Sequence, residues 1–313
     1  MDFAFTEAAA PPVNQAPPPP PTGTGAIPAL FGTPGTWGQA AKVWSGQLDF
    51  GGESYQTFGA TPAWGSLSTV QAAPKAWDAA WDTDIAVDNF VTAKLDLRAA
   101  GARALDVMVV SAQNGSVQLG DGHDTITWVA HANAGIAGNN FSIKTGGGDD
   151  VVHLTAAGLT ALADYDKTGN GSLYNAGYDG TGSNAHVTLG AGHDTVTAEG
   201  GVRLVLNGGA GFATATGAKA ADLFYAGTGG GDFTGGAGRD TFIFDRGDGH
   251  VTIQDFASGT DRLKFIGIGK ADIHTTAATE GGVAGLLVTY DAQGDSVFLA
   301  HVSKIAAADM LFA

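Results

Sequence analysis

Between Gly208 and Ile243 the chain repeats one nine-residue pattern of small, polar and apolar positions four times without a break: GGAGFATAT, GAKAADLFY, AGTGGGDFT and GGAGRDTFI. The eighth position of each unit is apolar (Ala215, Phe224, Phe233, Phe242), and Val251 is expected to continue the column in a degenerate fifth unit. The start of each unit is rich in glycine, so each reads as a tight turn followed by one short strand. Strands this short do not fold alone. Two consecutive units must wind into one coil of about eighteen residues, and coils must stack to bury the eighth positions. The expected fold is all-β: a right-handed parallel β-roll or β-solenoid, with irregular N-terminal coils and a C-terminal β cap.

Upstream the same pattern returns in a looser frame. Alternation of apolar and polar positions predicts strands over Phe90 to Leu97, Ala104 to Val110 and Ser116 to Leu119. They lead into the turn LGDGHDTIT at 119–127, followed by TGGGDDVVH at 145–153 and LGAGHDTVT at 189–197. Each turn has an aspartate at position six (Asp124, Asp150, Asp194) and a β-branched apolar residue at position eight (Ile126, Val152, Val196). In the contiguous block Asp222 and Asp240 take position six, one coil apart, while Ala213 and Gly231 take it on the other side. A ladder of aspartates along one side of the roll is the expectation.

Five stretches follow from these patterns. Residues 1–36 form a Pro/Gly-rich disordered tail, and 37–90 a Trp-rich N-terminal cap or binding region holding five of the six tryptophans. Residues 91–206 are an irregular solenoid with an insertion, 207–265 the regular roll, and 266–313 a C-terminal cap. The polyproline run at Pro17 to Pro21 reads as a spacer.

Charge narrows the partners. With 31 acidic against 15 basic residues the formal charge is −16, which argues against nucleic acid or an anionic membrane and in favour of cations. There is no cysteine, so no disulfide staples the coils, and no apolar run approaches the roughly 18 residues of a spanning helix. The opening MDFAFTEAAAPP lacks the basic start and apolar core of a signal peptide.

The unit at Gly235 to Ile243 resembles the GGxGxDxUx repeat of the RTX, or haemolysin-type, calcium-binding family, with Gly235, Gly236, Gly238, Asp240 and Phe242 in the motif positions. The resemblance implies Ca2+ held between turns one coil apart. The residues it points to are Gly120, Gly122 and Asp124; Gly146, Gly148 and Asp150; Gly190, Gly192 and Asp194; Asp222; and Gly235, Gly236, Gly238 and Asp240. Calcium takes six to eight oxygens, and a turn without side chains leaves its carbonyls accessible. The insertion Leu159 to Asp179 resembles an EF-hand-like or dockerin-like calcium loop, with Asp164, Asp166, Thr168, Asn170 and Ser172 as weaker ligands. Asn175 stands where that loop has a bidentate glutamate. His123 and His193, next to the repeat aspartates, read as exposed turn residues outside the site. The segment Phe242 to Phe265 and the ending Asp309, Met310, Leu311, Phe312 are similar to proteins exported by the type I secretion machinery, which implies a secreted, extracellular or cell-surface location.

No HExxH or GxSxG occurs, and with no cysteine a thiol nucleophile is excluded. About 80 residues precede the first turn once the tail is removed, few for a separate catalytic domain. The chain is therefore expected to be a non-enzymatic component of a cell surface, S-layer, biofilm matrix or adhesion system. The alternative is a lectin-like polysaccharide binder or a polysaccharide lyase or epimerase built on the solenoid.

Overall fold

From Glu53 to Phe265 the described strands alternate, one by one, between two sheets that face each other across a single core. The structure is a computed structural model and describes residues 43–50, 53–60, 65–71, 83–88, 90–98, 101–110, 114–130, 139–155, 181–291 and 295–313. Among these residues one sheet has thirteen strands and the other ten. Thr125–Val129, Val151–Thr155, His193–Ala198, Phe212–Thr216, Gly231–Thr234 and Val251–Ile253 lie side by side in the first. Asn140–Lys144, Asn184–Thr188, Arg203–Asn207, Leu223–Tyr225, Thr241–Phe244 and Arg262–Phe265 lie side by side in the second. Neighbours in these two series run parallel, the arrangement of a β-solenoid.

Register follows the nine-residue reading. Ala213 pairs with Gly231 and Leu223 with Thr241, one coil apart in each case. Ile126, Val152, Val196, Ala215 and Phe233 form one inward column, and Val117, Ile143, Val187, Leu206, Phe224, Phe242 and Leu263 form the facing one. All are buried. Val251 does not continue the first column as expected. Ile253 does, pairing with Phe233, because the preceding turn holds two more residues than the repeat provides.

Within the regular roll the core is a stack of rings. Phe224 lies 5.0 Å from Phe242 and 5.5 Å from Phe233, with no exposed surface. Each coil touches only its neighbours, so a hole here separates the coils on either side of it. Phe224→Ala is expected to cost about 3–5 kcal/mol, the usual range for removing a buried ring, as measured by urea unfolding in saturating calcium.

At the N-terminal end Glu53–Ala60 already pairs parallel with Thr83–Asp88, and Gly65–Gln71 with Phe90–Asp96. Val43–Phe50 alone runs antiparallel, at the edge. Parallel strand pairing thus begins at Glu53, within the stretch read as a cap or binding region. The tail and the insertion with Asp164, Asp166, Thr168, Asn170 and Ser172 lie outside the described residues.

At the other end the first sheet is extended by Ser296–Ala300, parallel to Val251–Ile253, and then by the antiparallel pair Val283–Thr289 and His274–Glu280. The acid-plus-apolar ending is a strand of the roll: Met310–Phe312 pairs parallel with Arg262–Phe265. Asp309 is buried in front of it and accepts hydrogen bonds from Ser258 Oγ at 2.6 Å, Ala306 N at 2.9 Å and Gly259 N at 3.0 Å. Burial works to raise its pKa, but these bonds and the Arg262 guanidinium outweigh it and hold the carboxyl below the usual aspartate value. Among the described residues no helix is long and apolar enough to cross a membrane.

Candidate metal centre

The repeat aspartates occupy both long edges of the roll. Turns that lead from the second sheet into the first carry Asp124, Asp150 and Asp194, whereas turns that lead from the first into the second carry Asp222 and Asp240. The one-sided ladder expected from the sequence is thus corrected. The rungs after Asp194 on its own edge are Ala213 and Gly231, which have no carboxylate, and the acids resume on the opposite edge.

Each carboxylate ties its coil to the one before. Asp124 Oδ1 accepts from Leu105 N at 2.8 Å, Asp150 Oδ1 from Asp124 N at 2.9 Å, and Asp194 Oδ1 from Asp150 N at 3.0 Å. On the other edge Asp222 Oδ1 accepts from Leu204 N at 2.8 Å and Asp240 Oδ1 from Asp222 N at 2.9 Å. The irregular spacing upstream, 26 residues and then 44, does not break the ladder. The strands on either side of the longer steps keep their register.

The second carboxylate oxygens divide the ladder. Asp222 Oδ2 accepts from Ala218 N at 3.0 Å, in its own turn. The Oδ2 atoms of Asp124, Asp150, Asp194 and Asp240 are buried and accept no well-formed hydrogen bond, although Gly120 N–H, the Thr145 hydroxyl and Gly190 N–H lie near the first three carboxylates and work to lower their pKa. A buried, unpaired carboxylate oxygen is costly, because the water it loses is not replaced. Burial accordingly pushes Asp124 and Asp222 up to about 6 and Asp150 and Asp240 up to about 7, and it raises Asp194 as well. Neighbouring acids add to this, Asp194 and Asp124 at Asp150, and Asp222, Asp261 and Asp255 at Asp240. Backbone N–H groups pull the other way without prevailing.

The turns stack backbone on backbone. Gly148 and Gly192 have φ of 106° and 130°, and a Cβ on either would run into the carbonyl of the turn one coil earlier, Gly122 and Gly148 respectively. Gly120, Gly146 and Gly190 form a second stack beside it, over the carbonyls of Gly101, Gly120 and Gly146 respectively, while Gly236 and Gly238 face the carbonyls of Ala218 and Ala220 on the other edge and Gly235 faces the Asp240 carboxylate. Buried carboxylate oxygens and turn carbonyls together offer a donor set of hard oxygens, which suits calcium, and the carbonyls of Gly120, Gly146 and Gly190 also accept backbone hydrogen bonds. Among the described residues no three His, Asp or Glu side chains converge on one point, so an ion here would draw on the turn carbonyls as well.

His123 and His193 are exposed and form a rail outside the ladder: Asp149 N donates to His123 Nδ1 at 3.0 Å, and His193 N donates to Asp149 Oδ1 at 2.8 Å. Two acids escaped the sequence reading. Asp261 Oδ1 accepts from Asp240 N at 3.1 Å and is the next rung; its signal is the apolar Leu263 two residues on, hidden by a step of 21 residues. Asp255 grips the turn above it, accepting from Gly235 N and Gly236 N at 2.8 Å each.

No protein-family model matches the sequence, and no curated protein matches it. Among solved structures the chain is similar to the extracellular lipase LipA from Serratia marcescens, at 15% identity and a TM-score of 0.28, over 76% of this chain and 46% of that one. The chain thus spans about half the length of that enzyme, and at this similarity neither activity nor ligand carries over. One expectation is corrected nonetheless. The chain was expected to be non-enzymatic for want of catalytic motifs, but a solved structure that it resembles belongs to an enzyme.

Proposed function

We propose that this is a secreted calcium-binding protein of the RTX kind, exported by type I machinery and folded by the calcium it meets outside the cell. The observation that supports this reading is the set of four buried carboxylate oxygens that accept no well-formed hydrogen bond, on Asp124, Asp150, Asp194 and Asp240. These oxygens, with the carbonyls of the glycine turns around them, would hold the ions. Bound calcium supplies the positive charge that a buried stack of carboxylates lacks. An acidic chain that stays unfolded at cytosolic calcium passes through a channel unfolded and gains its coils on arrival. A regular, metal-stiffened solenoid fits a place at the cell surface, in an S-layer, in a biofilm matrix or in adhesion, with extracellular polysaccharide or further copies of the chain as partners.

Titration calorimetry on two isosteric variants tests the assignment. Asp150→Asn removes the charge at an orphan oxygen and is expected to bind fewer calcium ions than the wild type. Asp222→Asn alters a carboxylate whose second oxygen is already paired with Ala218 N and is expected to lose less. Equal binding by the wild type and Asp150→Asn overturns the reading.

A further inference from the structure

The C-terminal hairpin leaves one long strand open along its outer side. Among the described residues the thirteen-stranded sheet ends on His274–Glu280, which pairs antiparallel with Val283–Thr289 on one side and with no strand on the other. The second sheet ends at this end of the roll on Met310–Phe312, only three residues long. A very short strand is one way in which proteins blunt a sheet edge; lysine, proline and bulges are others. His274–Glu280 uses none of them. Its seven residues, HTTAATE, hold no lysine and no proline, and its register runs without a break from His274 opposite Thr289 to Glu280 opposite Val283. None of its side chains is buried, and His274, Thr275, Thr276, Ala277 and Thr279 are exposed. Both faces and the outer edge of this strand are therefore open to another strand.

The order of its residues says which strand fits. Laid antiparallel against a second copy of itself about a twofold axis at Ala277, it puts His274 opposite Glu280 of the second copy and Glu280 opposite the second copy's His274. Between them Thr275 meets Thr279 and Thr276 meets Ala278. Opposite charges and paired hydroxyls directly across an antiparallel pair stabilise it, and no like charges meet in this register. A slip of one residue sets Glu280 opposite Ile273 and loses both end pairs. Glu280 is already held in place, its Oε2 lying 2.9 Å from His250 Nε2. A carboxylate accepts from more than one donor, so this contact orders the side chain and leaves it able to take a second imidazole.

We propose that two copies of the chain join through His274–Glu280 across a twofold axis, continuing the thirteen-stranded sheet of one into that of the other. This gives the further copies named among the partners a place on the molecule, and it rests on that reading only in that the calcium-bound fold is the one that pairs. Backbone hydrogen bonds along the edge supply the attraction, and the two His–Glu pairs at its ends fix the register.

The test uses the full chain in saturating calcium, with molar mass read by light scattering after size exclusion. A strand pair without a packed face belongs to the weak class of interface, so the mass is followed over rising protein concentration. The wild type is expected to move from the mass of one chain towards twice that mass. Ala277→Lys sets two lysines against each other at the axis and is expected to stay at one chain, with its β circular dichroism unchanged. His274→Glu makes both end pairs repulsive and is expected to weaken the dimer about tenfold. A wild type that keeps the mass of one chain at every concentration overturns the proposal and leaves the edge to a strand of some other protein. Dimerisation of Ala277→Lys as tight as that of the wild type also overturns it; if that variant does not fold, undiminished dimerisation of His274→Glu does so in its place. Calcium counted by titration calorimetry on the same wild-type samples separates this inference from the calcium assignment. A monomer that binds calcium removes only the dimer, and a dimer that binds none removes only the calcium.

Discussion

Stripped of divalent cations at neutral pH, the chain is expected to show the circular dichroism of an unfolded coil, and millimolar calcium is expected to convert it to β. The reason lies in the stack of carboxylates: Asp124, Asp150 and Asp194 succeed one another in adjacent coils, each buried, each with one oxygen that accepts no well-formed hydrogen bond, in a chain of formal charge −16. Ionised, they lose hydration and repel. A site held at ten times its dissociation constant stabilises the folded state by about 1.4 kcal/mol, so four such sites contribute about 6 kcal/mol. That is comparable with the whole stability of an ordinary domain, about 5–15 kcal/mol, so the metal decides between folded and unfolded. Extracellular calcium modules have dissociation constants of about 10⁻⁴ to 10⁻³ M, which puts the transition in the millimolar range. Magnesium should not substitute, because it demands a tight octahedron and gives up its water reluctantly. A chain that melts cooperatively from a β state in chelator at neutral pH contradicts this prediction.

The second large effect is on pH dependence, and its sign reverses when calcium is added. In chelator the ladder aspartates titrate at about 6 to 7 when folded, as at Asp124, Asp150, Asp222 and Asp240. In the unfolded chain they titrate near the ordinary value of about 3.9. The folded state therefore holds more protons between these limits. Its stability is fully present below the unfolded value and is lost as pH rises through the folded one. A tenfold difference in proton affinity between the folded and unfolded chain is worth about 1.4 kcal/mol, so several groups together move the balance by several kcal/mol even after mutual coupling is discounted. The calcium-free chain is thus expected to regain β structure as pH falls from about 7.5 towards 5, with protons in place of metal. In calcium the order is opposite, because ions and protons compete for the same oxygens and acid weakens the metal. Thermal melts at the two pH values, with and without calcium, check both signs. Calcium-free stability that rises with pH is the opposite outcome.

Much of this architecture is legible in the sequence because the repeat encodes it twice. Apolar position eight marks the columns of the core, and glycine marks the turns; both reappear as Phe224 over Phe242 and as the stack through Gly122, Gly148 and Gly192. Which edge each aspartate occupies is harder to read, since it depends on how many strands intervene. Asp194 and Asp222 are 28 residues apart, close to three nine-residue units, an odd number of half-coils that places them on opposite edges. The same rule misleads at Asp124 and Asp150. Their separation is also near three units, yet both lie on one edge. Spacing reports edge only where the nine-residue repeat is unbroken. At the C-terminus the antiparallel hairpin has its own signal, Gly281 and Gly282 at φ of 55° and 83°, the two positive values that a type I′ turn requires.

The most direct measurement is a crystal structure grown in calcium, with anomalous difference density used to locate the ions. Peaks are predicted between turns beside the second carboxylate oxygens of Asp124, Asp150 and Asp194 on one edge and Asp240 on the other, with none beside Ala213 or Gly231. A roll in the same register whose four orphan oxygens meet only water or protein donors, with no anomalous density at any of them, would contradict the account.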